Sequence, residues 1–118
     1  MSNTTKETKA QQSVQKWLHL IDRAEYSESW SETATYFQNN ITQSQWQKTL
    51  QGVRQPLGKV ISREVALVQY TTTLPGSPDG EYVVIQFNTS FENKKSAVET
   101  VTPMLDRGKW QVAGYYIK

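Results

Sequence analysis

Glu99 is the side chain of this sequence best suited to acid–base chemistry. It stands in the run AVETV, where apolar and β-branched residues flank it. Burial among such residues disfavours the charged form and raises the pKa of a carboxyl group towards the range of a general acid or base. An ion pair with a basic residue such as Arg54 or Arg63 would instead give Glu99 a structural role. Both interpretations stay open, because structural ion pairs also perturb pKa values.

Other catalytic groups are scarce. The chain has one histidine, His19, on the polar side of the first predicted helix, and it has no cysteine. A metal site at His19 would need two further ligands, and the chain has no other histidine and no cysteine to supply them, so we expect no metal. We also expect no cofactor, because no Gly-rich phosphate loop and no Ser/His/Asp set stands out. Asp22 and Glu25, near the end of that helix, are expected to be solvated rather than to transfer a proton.

A ligand pocket on the sheet is the second possibility. Two-residue turns at Asn93–Lys94 and Arg107–Gly108 would place Glu99 opposite both Asn88 and Tyr116. One sheet face would then set polar groups in an aromatic frame, as in a small-molecule site, although aromatics at helical spacing are usually core. A slip of one residue in either hairpin would exchange the two faces. The candidate pocket residues are Trp17, Tyr26, Arg54, Gln86, Asn88, Glu99 and Tyr116.

Helical periodicity predicts three helices in the first half of the chain. The first carries an apolar stripe at three- and four-residue spacing, formed by Ala10, Val14, Trp17, Leu18 and Ile21. A second helix is expected from about Ser27 to Ile41. The third begins after Thr42, which has Gln45 three residues later in capping-box spacing, and it ends before Pro56.

After Gly58 the apolar pattern changes to a period of two, which predicts four strands at residues 62–74, 81–91, 96–105 and 109–118. The short connectors between them favour an antiparallel meander, and Pro103 predicts a bulge or an edge position. The expected fold class is therefore α+β, with three N-terminal helices packed on a curved four-stranded antiparallel sheet. Residues 1–9 are expected to be a disordered polar tail, and residues 10–118 a single domain.

Composition narrows the classes of partner. The 118 residues are 36% hydrophobic and carry a formal net charge of +2, which is typical of one folded domain. The basic residues are scattered among acidic ones, so nucleic acid is not an expected partner. No apolar run approaches the roughly 20 residues that a membrane-spanning helix needs.

Four segments carry a resemblance to a known family: WLHLIDRAEYSESW, QWQKTLQGVRQPLGKVISR, LPGSPDGEYVVIQFNTSFENK, and ETV with KWQVAGYYIK. With the predicted order of elements, they make the chain resemble the bacterial family catalogued as domain of unknown function 4019. More broadly, the chain resembles the cone-shaped nuclear-transport-factor-2-like superfamily, and the resemblance implies that the family lies within it. The resemblance implies a bacterial protein of the periplasm or cell envelope, normally made with an export signal, and it implies no established activity; the cytoplasm is the alternative location.

Three functions are compatible with these features. The first is a non-catalytic module that binds a small molecule or a protein. The second is a small acid–base enzyme of isomerase, hydratase or cyclase type using Glu99, and the third is a purely structural module. We also expect a homodimer through the sheet, because the set Val83, Ile85, Phe87, Ala113, Tyr115 and Ile117 would form an exposed apolar patch if the helices cover the other face.

Overall fold

A computed structural model describes residues 3–118; the first two residues of the expected polar tail lie outside the described part. Within it the chain forms helices α1 to α4, one turn of 3-10 helix and strands β1 to β4. The helices are α1 (Thr4–Asp22), α2 (Tyr26–Ser31), α3 (Thr35–Asn40) and α4 (Gln43–Val53), and the 3-10 turn is Gln55–Leu57. The strands are β1 (Val60–Thr71), β2 (Tyr82–Phe91), β3 (Lys94–Asp106) and β4 (Lys109–Ile117).

Helix α1 includes residues 4–9, whereas their polar composition predicts a disordered tail. Tertiary contacts account for the difference. The Glu7 carboxylate accepts a hydrogen bond from the backbone N–H of Tyr70 at 3.1 Å, and Lys6 forms an ion pair with Glu81 at 2.5 Å. The first contact satisfies a backbone donor on the open edge of β1, where no further strand pairs.

The expected second helix is two short helices, so the expectation of three helices is corrected to four. The break falls at Thr33, which forms a parallel bridge with Val112 of β4, and at Ala34, whose backbone N–H donates to the Val112 carbonyl at 2.8 Å. Ala34 is extended, with φ −67° and ψ 154°. The connector thus gives up helical hydrogen bonds to cover the edge of β4.

Helix α4 confirms the local signals for its two ends. Thr42 and Gln45 form a reciprocal capping box, with Gln45 N–H donating to Thr42 Oγ1 at 3.1 Å. The helix ends at Val53, before Pro56, and Gly58 takes a positive φ of 78°. The reversal at this glycine directs the chain from α4 into β1.

The four strands form one antiparallel sheet in the order β1-β2-β3-β4, as the short connectors predict. The register differs from the predicted one. The first hairpin turn is Glu92–Asn93, which pairs Phe91 with Lys94, and an irregularity between Thr89 and Phe91 then shifts the ladder by one residue. Glu99 therefore lies opposite Phe87 rather than Asn88. The second turn is Arg107–Gly108 as predicted, but an irregularity between Thr102 and Pro103 shifts the pairing, and Glu99 lies opposite Ile117 rather than Tyr116. The bulge expected at Pro103 is thus present, and it changes the register of the strand residues before it.

The shifted register decides which sheet face the helices cover. The core joins α1, α2 and α4 to three strands, and consists of Ala10, Val14, Trp17, Leu18, Ile21, Tyr26, Trp46, Leu50, Val83, Ile85, Phe87, Val101 and Val112. The sequence analysis instead placed the residues of the expected dimer patch on the face that the helices leave uncovered. Val83 and Ile85 are fully buried within one chain and Tyr115 packs against the core, so these residues cannot form an outer interface. The expectation of a homodimer through this face therefore loses its basis.

Candidate functional site

The carboxylate of Glu99 lies on the helix-covered face of the sheet and is 0% exposed. Its Oε1 accepts hydrogen bonds from Arg63 Nε and from Thr89 Oγ1, both at 2.7 Å. Its Oε2 accepts from Arg63 Nη2 at 3.2 Å and from the hydroxyl of Tyr115. These four hydrogen bonds compensate for the hydration that the carboxylate loses on burial.

Asp22 extends this network to a second arginine. Its Oδ2 accepts from Arg63 Nη1 at 2.8 Å, and its Oδ1 accepts from Arg63 Nη2 at 3.0 Å and from Arg54 Nη2 at 3.3 Å. Arg54 Nη1 donates to the carbonyl of Gly58 at 2.6 Å, and its guanidinium lies 4.6 Å from the centre of the Phe91 ring. We call the six residues Asp22, Arg54, Arg63, Thr89, Glu99 and Tyr115 the buried ionic cluster.

The formal charges of the buried ionic cluster cancel, with two carboxylates against two guanidinium groups. Burial acts to lower the pKa of Arg63, but hydrogen bonds to Asp22 and Glu99, and the charges of both, raise it above its usual value. Burial, followed by the charge and the hydrogen bond of Glu99, raises the pKa of Tyr115 well above its usual value. Both groups therefore keep their protons at neutral pH, so neither has the pKa near the working pH that suits a general base.

Six elements contribute to this cluster, which explains why local sequence patterns did not reveal it. Asp22 ends α1, Arg54 caps the C-terminus of α4, and the other four residues lie one on each strand. Arg63 is directly opposite Thr89 in the β1–β2 ladder. The pairing of Val101 with Tyr115 puts the Tyr115 ring on the face of Glu99, and this pairing depends on the irregularity in β3.

The ion pair that was one of two interpretations of Glu99 is the one observed, with Arg63 as its partner. Arg54, the other suggested partner, pairs with Asp22 instead. Asp22 was expected to be solvated; its side chain is 23% exposed and accepts bonds from both arginines. Thr89 and Tyr115 were not identified as neighbours of Glu99, and the only sequence signal for them was alternation along strands, which needs the correct register.

The seven predicted pocket residues do not converge on one site. Trp17 and Tyr26 are core residues, and the Trp17 indole N–H donates to the Ser29 carbonyl at 2.9 Å. Arg54 and Glu99 belong to the buried ionic cluster. The remaining three lie on the opposite sheet face: Gln86, Asn88 and Tyr116.

The three outer-face residues have different surroundings. The Gln86 amide donates to Thr100 Oγ1 at 3.3 Å, and Tyr116 is opposite Thr100 in the ladder and is 53% exposed. Asn88 lines a shallow depression of about 340 Å³ on the same face, between β1, β2 and β3. The mixed polar and aromatic face thus exists in part, but without Glu99.

A larger concave surface lies between α1, α2 and the start of β4, and we call it the α1–β4 cleft. Its volume is about 530 Å³, within the range of about 300–1,000 Å³ that is common for ligand sites. Its apolar lining is Trp17, Leu20, Trp110 and Val112. Its polar lining is Lys9, Gln12, Ser13, Lys16, Glu28, Glu32, Lys109 and Gln111.

The charged side chains of the α1–β4 cleft differ from those of the buried ionic cluster in their weaker contacts with the rest of the domain, of which the attraction between Glu28 and Arg23 is one. Within residues 3–118, none of its three lysines and two glutamates forms a side-chain hydrogen bond or an ion pair. Trp110 is half-buried and packs against the core from the cleft side. Of this lining, sequence reasoning proposed only Trp17 as a pocket residue, and it assigned Trp110 to the last strand without a role in binding.

Residues 13–115 match the model of the family described as "Protein of unknown function (DUF4019)". The chain belongs to this family. The matched region contains the whole buried ionic cluster and most of the α1–β4 cleft; Lys9 and Gln12 precede it. No curated protein matches the chain. Across residues 3–118 of this DUF4019 member, no helix is both long and apolar enough to cross a membrane.

Proposed function

We propose that this DUF4019 domain is a non-catalytic binding module and that the α1–β4 cleft is its binding site. One observation carries the proposal: the cleft combines a half-buried tryptophan with charged side chains that form no hydrogen bond or ion pair within residues 3–118. A ligand or partner can therefore gain hydrogen bonds and apolar contact there without breaking existing ones.

The acid–base enzyme has less support. Glu99 accepts four hydrogen bonds and lines neither the cleft nor the outer-face depression. A substrate would have to displace Arg63 or Tyr115 before it could exchange a proton with this carboxylate. The buried ionic cluster is better explained as a structural junction that joins α1 and α4 to all four strands.

We also propose that the domain belongs to the nuclear-transport-factor-2-like superfamily. The helices pack on one face of a four-stranded antiparallel sheet that contains several register irregularities. Such irregularities bend strands, which supports membership of the nuclear-transport-factor-2-like superfamily. A location in the bacterial periplasm or cell envelope is proposed from the family resemblance.

A screen by thermal shift tests the binding function. A library of metabolites and short peptides is applied to the wild type, to Trp110→Ala, and to Tyr116→Ala as the matched control, because Tyr116 is an exposed aromatic on the opposite sheet face. A ligand at about 100 times its Kd should add about 2.7 kcal/mol to the free energy of unfolding. We expect this stabilisation in the wild type and in Tyr116→Ala, and its loss in Trp110→Ala.

Two results would contradict the proposal. If every stabilising compound acts equally on Trp110→Ala, the binding site lies elsewhere. If no compound or peptide stabilises the wild type, the purely structural role is the better description.

A further inference from the structure

We infer that the buried ionic cluster contains a binding site for one ordered internal water molecule, which accepts a hydrogen bond from Arg54 Nε and is held by the hydroxyl of Tyr26. This hydration site is separate from the α1–β4 cleft, because neither residue lines that cleft. Its presence therefore does not depend on whether the cleft binds a ligand.

Arg54 Nε is a buried donor without an acceptor. The Arg54 side chain is only 4% exposed. Its Nη1 donates to the Gly58 carbonyl at 2.6 Å and its Nη2 to Asp22 Oδ1 at 3.3 Å. Among the buried side-chain nitrogen and oxygen atoms of residues 3–118, Arg54 Nε alone lacks a hydrogen-bond partner. Buried polar groups nearly always bond to protein or to ordered water, so this donor requires an acceptor.

Asp22 does not supply that acceptor, because Arg63 holds its carboxylate. Both oxygens of Asp22 accept from Arg63, at 2.8 and 3.0 Å, whereas the contact with Arg54 is longer, at 3.3 Å. Arginine and carboxylate bond most strongly as a fork with two parallel hydrogen bonds. One carboxylate cannot form such a fork with two guanidinium groups at once. Arg63 has the fork, and Arg54 is left with a single bond through Nη2.

The position of the required acceptor follows from the shape of the guanidinium group. Its donors all lie in one plane, and the Phe91 ring, 4.6 Å from the central carbon of Arg54, covers one face of that plane. Nε and Nη2 share one edge of the group, and Nη2 points to Asp22. The acceptor for Nε therefore lies in the guanidinium plane, beside the Asp22 carboxylate.

Tyr26 is the neighbour that can hold a water molecule there. It begins α2, just after the connector that follows Asp22, and it is 5% exposed. Its hydroxyl forms no hydrogen bond in the part of the chain that the structure describes. Burial raises the pKa of Tyr26, while the charge of Arg54 lowers it and that of Asp22 raises it, so the hydroxyl lies within electrostatic reach of both. An internal water makes about three hydrogen bonds, and Arg54 Nε, the Tyr26 hydroxyl and the Asp22 carboxylate can provide them.

Charge balance favours water over a small anion. Asp22 and Glu99 already balance the formal charges of Arg54 and Arg63. An anion at Nε would add an uncompensated negative charge next to Asp22 in the interior, which is costly. Water supplies the acceptor without adding charge, and the nearly complete burial of Arg54 excludes a larger ligand.

A crystal structure of the wild-type domain that resolves ordered water tests this site, with crystals soaked in sodium bromide as the anion probe. We expect a water molecule about 2.7–3.2 Å from Arg54 Nε and no anomalous signal of bromide there. A bromide signal at Nε would show an anion site and overturn the assignment to water. An Asp22 carboxylate that turns to form a fork with Arg54, or the lack of any density within hydrogen-bond distance of Nε, would overturn the site itself.

Tyr26→Phe tests the second partner of the water, since it removes the hydroxyl and keeps the ring. Tyr36→Phe is the matched control, because the Tyr36 hydroxyl contacts the Gly76 carbonyl at 3.4 Å and belongs to neither the cluster nor its surroundings. We expect the crystallographic occupancy of the water to fall in Tyr26→Phe and to stay unchanged in Tyr36→Phe. Equal occupancy in the wild type and in both variants would contradict the role of Tyr26.

Discussion

Replacing Glu99 by glutamine should strongly destabilise the domain while leaving its shape unchanged. The substitution removes one negative charge from a cluster whose formal charges cancel, so Asp22 remains against both Arg54 and Arg63. Removing one partner of a buried ion pair costs about 3–5 kcal/mol. Arg63 is 15% exposed and keeps its two bonds to Asp22, so we expect a loss of about 3 kcal/mol, at the lower end of that range.

A double-mutant cycle shows whether the loss comes from the ion pair. Arg63→Met should also be costly, because the fully buried Glu99 then keeps only the hydroxyl donors of Thr89 and Tyr115. The double variant Arg63→Met/Glu99→Gln leaves Asp22 paired with Arg54 and restores charge balance. It should therefore be more stable than the sum of the two single losses predicts, by about 2 kcal/mol.

Urea unfolding followed by tryptophan fluorescence measures these losses, with circular dichroism to confirm the native fold of each variant. Glu25→Gln is the matched control, because its ion pair with Arg23 joins side chains that are 42% and 59% exposed. Such a surface pair contributes about 0.2–1 kcal/mol. A folded Glu99→Gln that loses no more stability than Glu25→Gln would refute the structural role of the cluster, as would strictly additive losses in the cycle.

Three further predictions concern packing, pH and backbone conformation. Trp46→Ala should lower the free energy of unfolding by about 3–5 kcal/mol, because the ring is 4% exposed in the core; an unchanged urea midpoint would contradict the position of α4. The backbone N–H and hydroxyl of Thr35 both donate to Asp106 at 2.9 Å and hold the pKa of Asp106 below its usual value. That stabilisation is complete above the unfolded pKa and is lost as pH falls through the folded pKa. Asp106→Asn should therefore reduce the acid-induced loss of stability below about pH 4. An unchanged pH profile of the free energy of unfolding would exclude this contact. Gly58→Ala should lower the free energy of unfolding by about 1–3 kcal/mol, since the φ of Gly58 is 78° and an added Cβ would lie 2.7 Å from a glutamate oxygen. Gly52 has open space around it in an exposed part of α4, so Gly52→Ala should raise the free energy of unfolding by about 0.5–1 kcal/mol. Equal urea midpoints for the two variants would contradict both assignments.

The elements with strong local signals could be predicted from the sequence. The apolar stripe of α1, the capping box at Thr42 and Gln45, and the end of α4 before Pro56 involve residues within a few positions of one another. The period of two and the polar connectors likewise predicted an antiparallel meander of four strands. These features depend on short-range geometry, which the order of residues determines directly.

The break between α2 and α3 required the tertiary structure. Helical spacing continues from Trp30 through Phe37 to Ile41, so the sequence gives no local reason for an interruption. The interruption comes from the bridge of Thr33 with Val112 of β4, about 80 residues later in the chain, where the backbone N–H of Ala34 donates to the Val112 carbonyl. Helical propensity is a weak preference, and a backbone partner at the edge of a sheet outweighs it.

The candidate sites were determined only by the tertiary structure. The sequence identified Glu99 as the notable carboxylate and Arg63 as one possible partner, but its predicted register was one residue off in both hairpins and put Tyr116 rather than Tyr115 beside it. Side chains alternate between faces along a strand, so a shift of one residue, caused by a bulge or a turn, moves every later side chain to the other face. The α1–β4 cleft depends equally on packing, since its walls come from elements distant in the chain that meet only when α1 lies across the sheet.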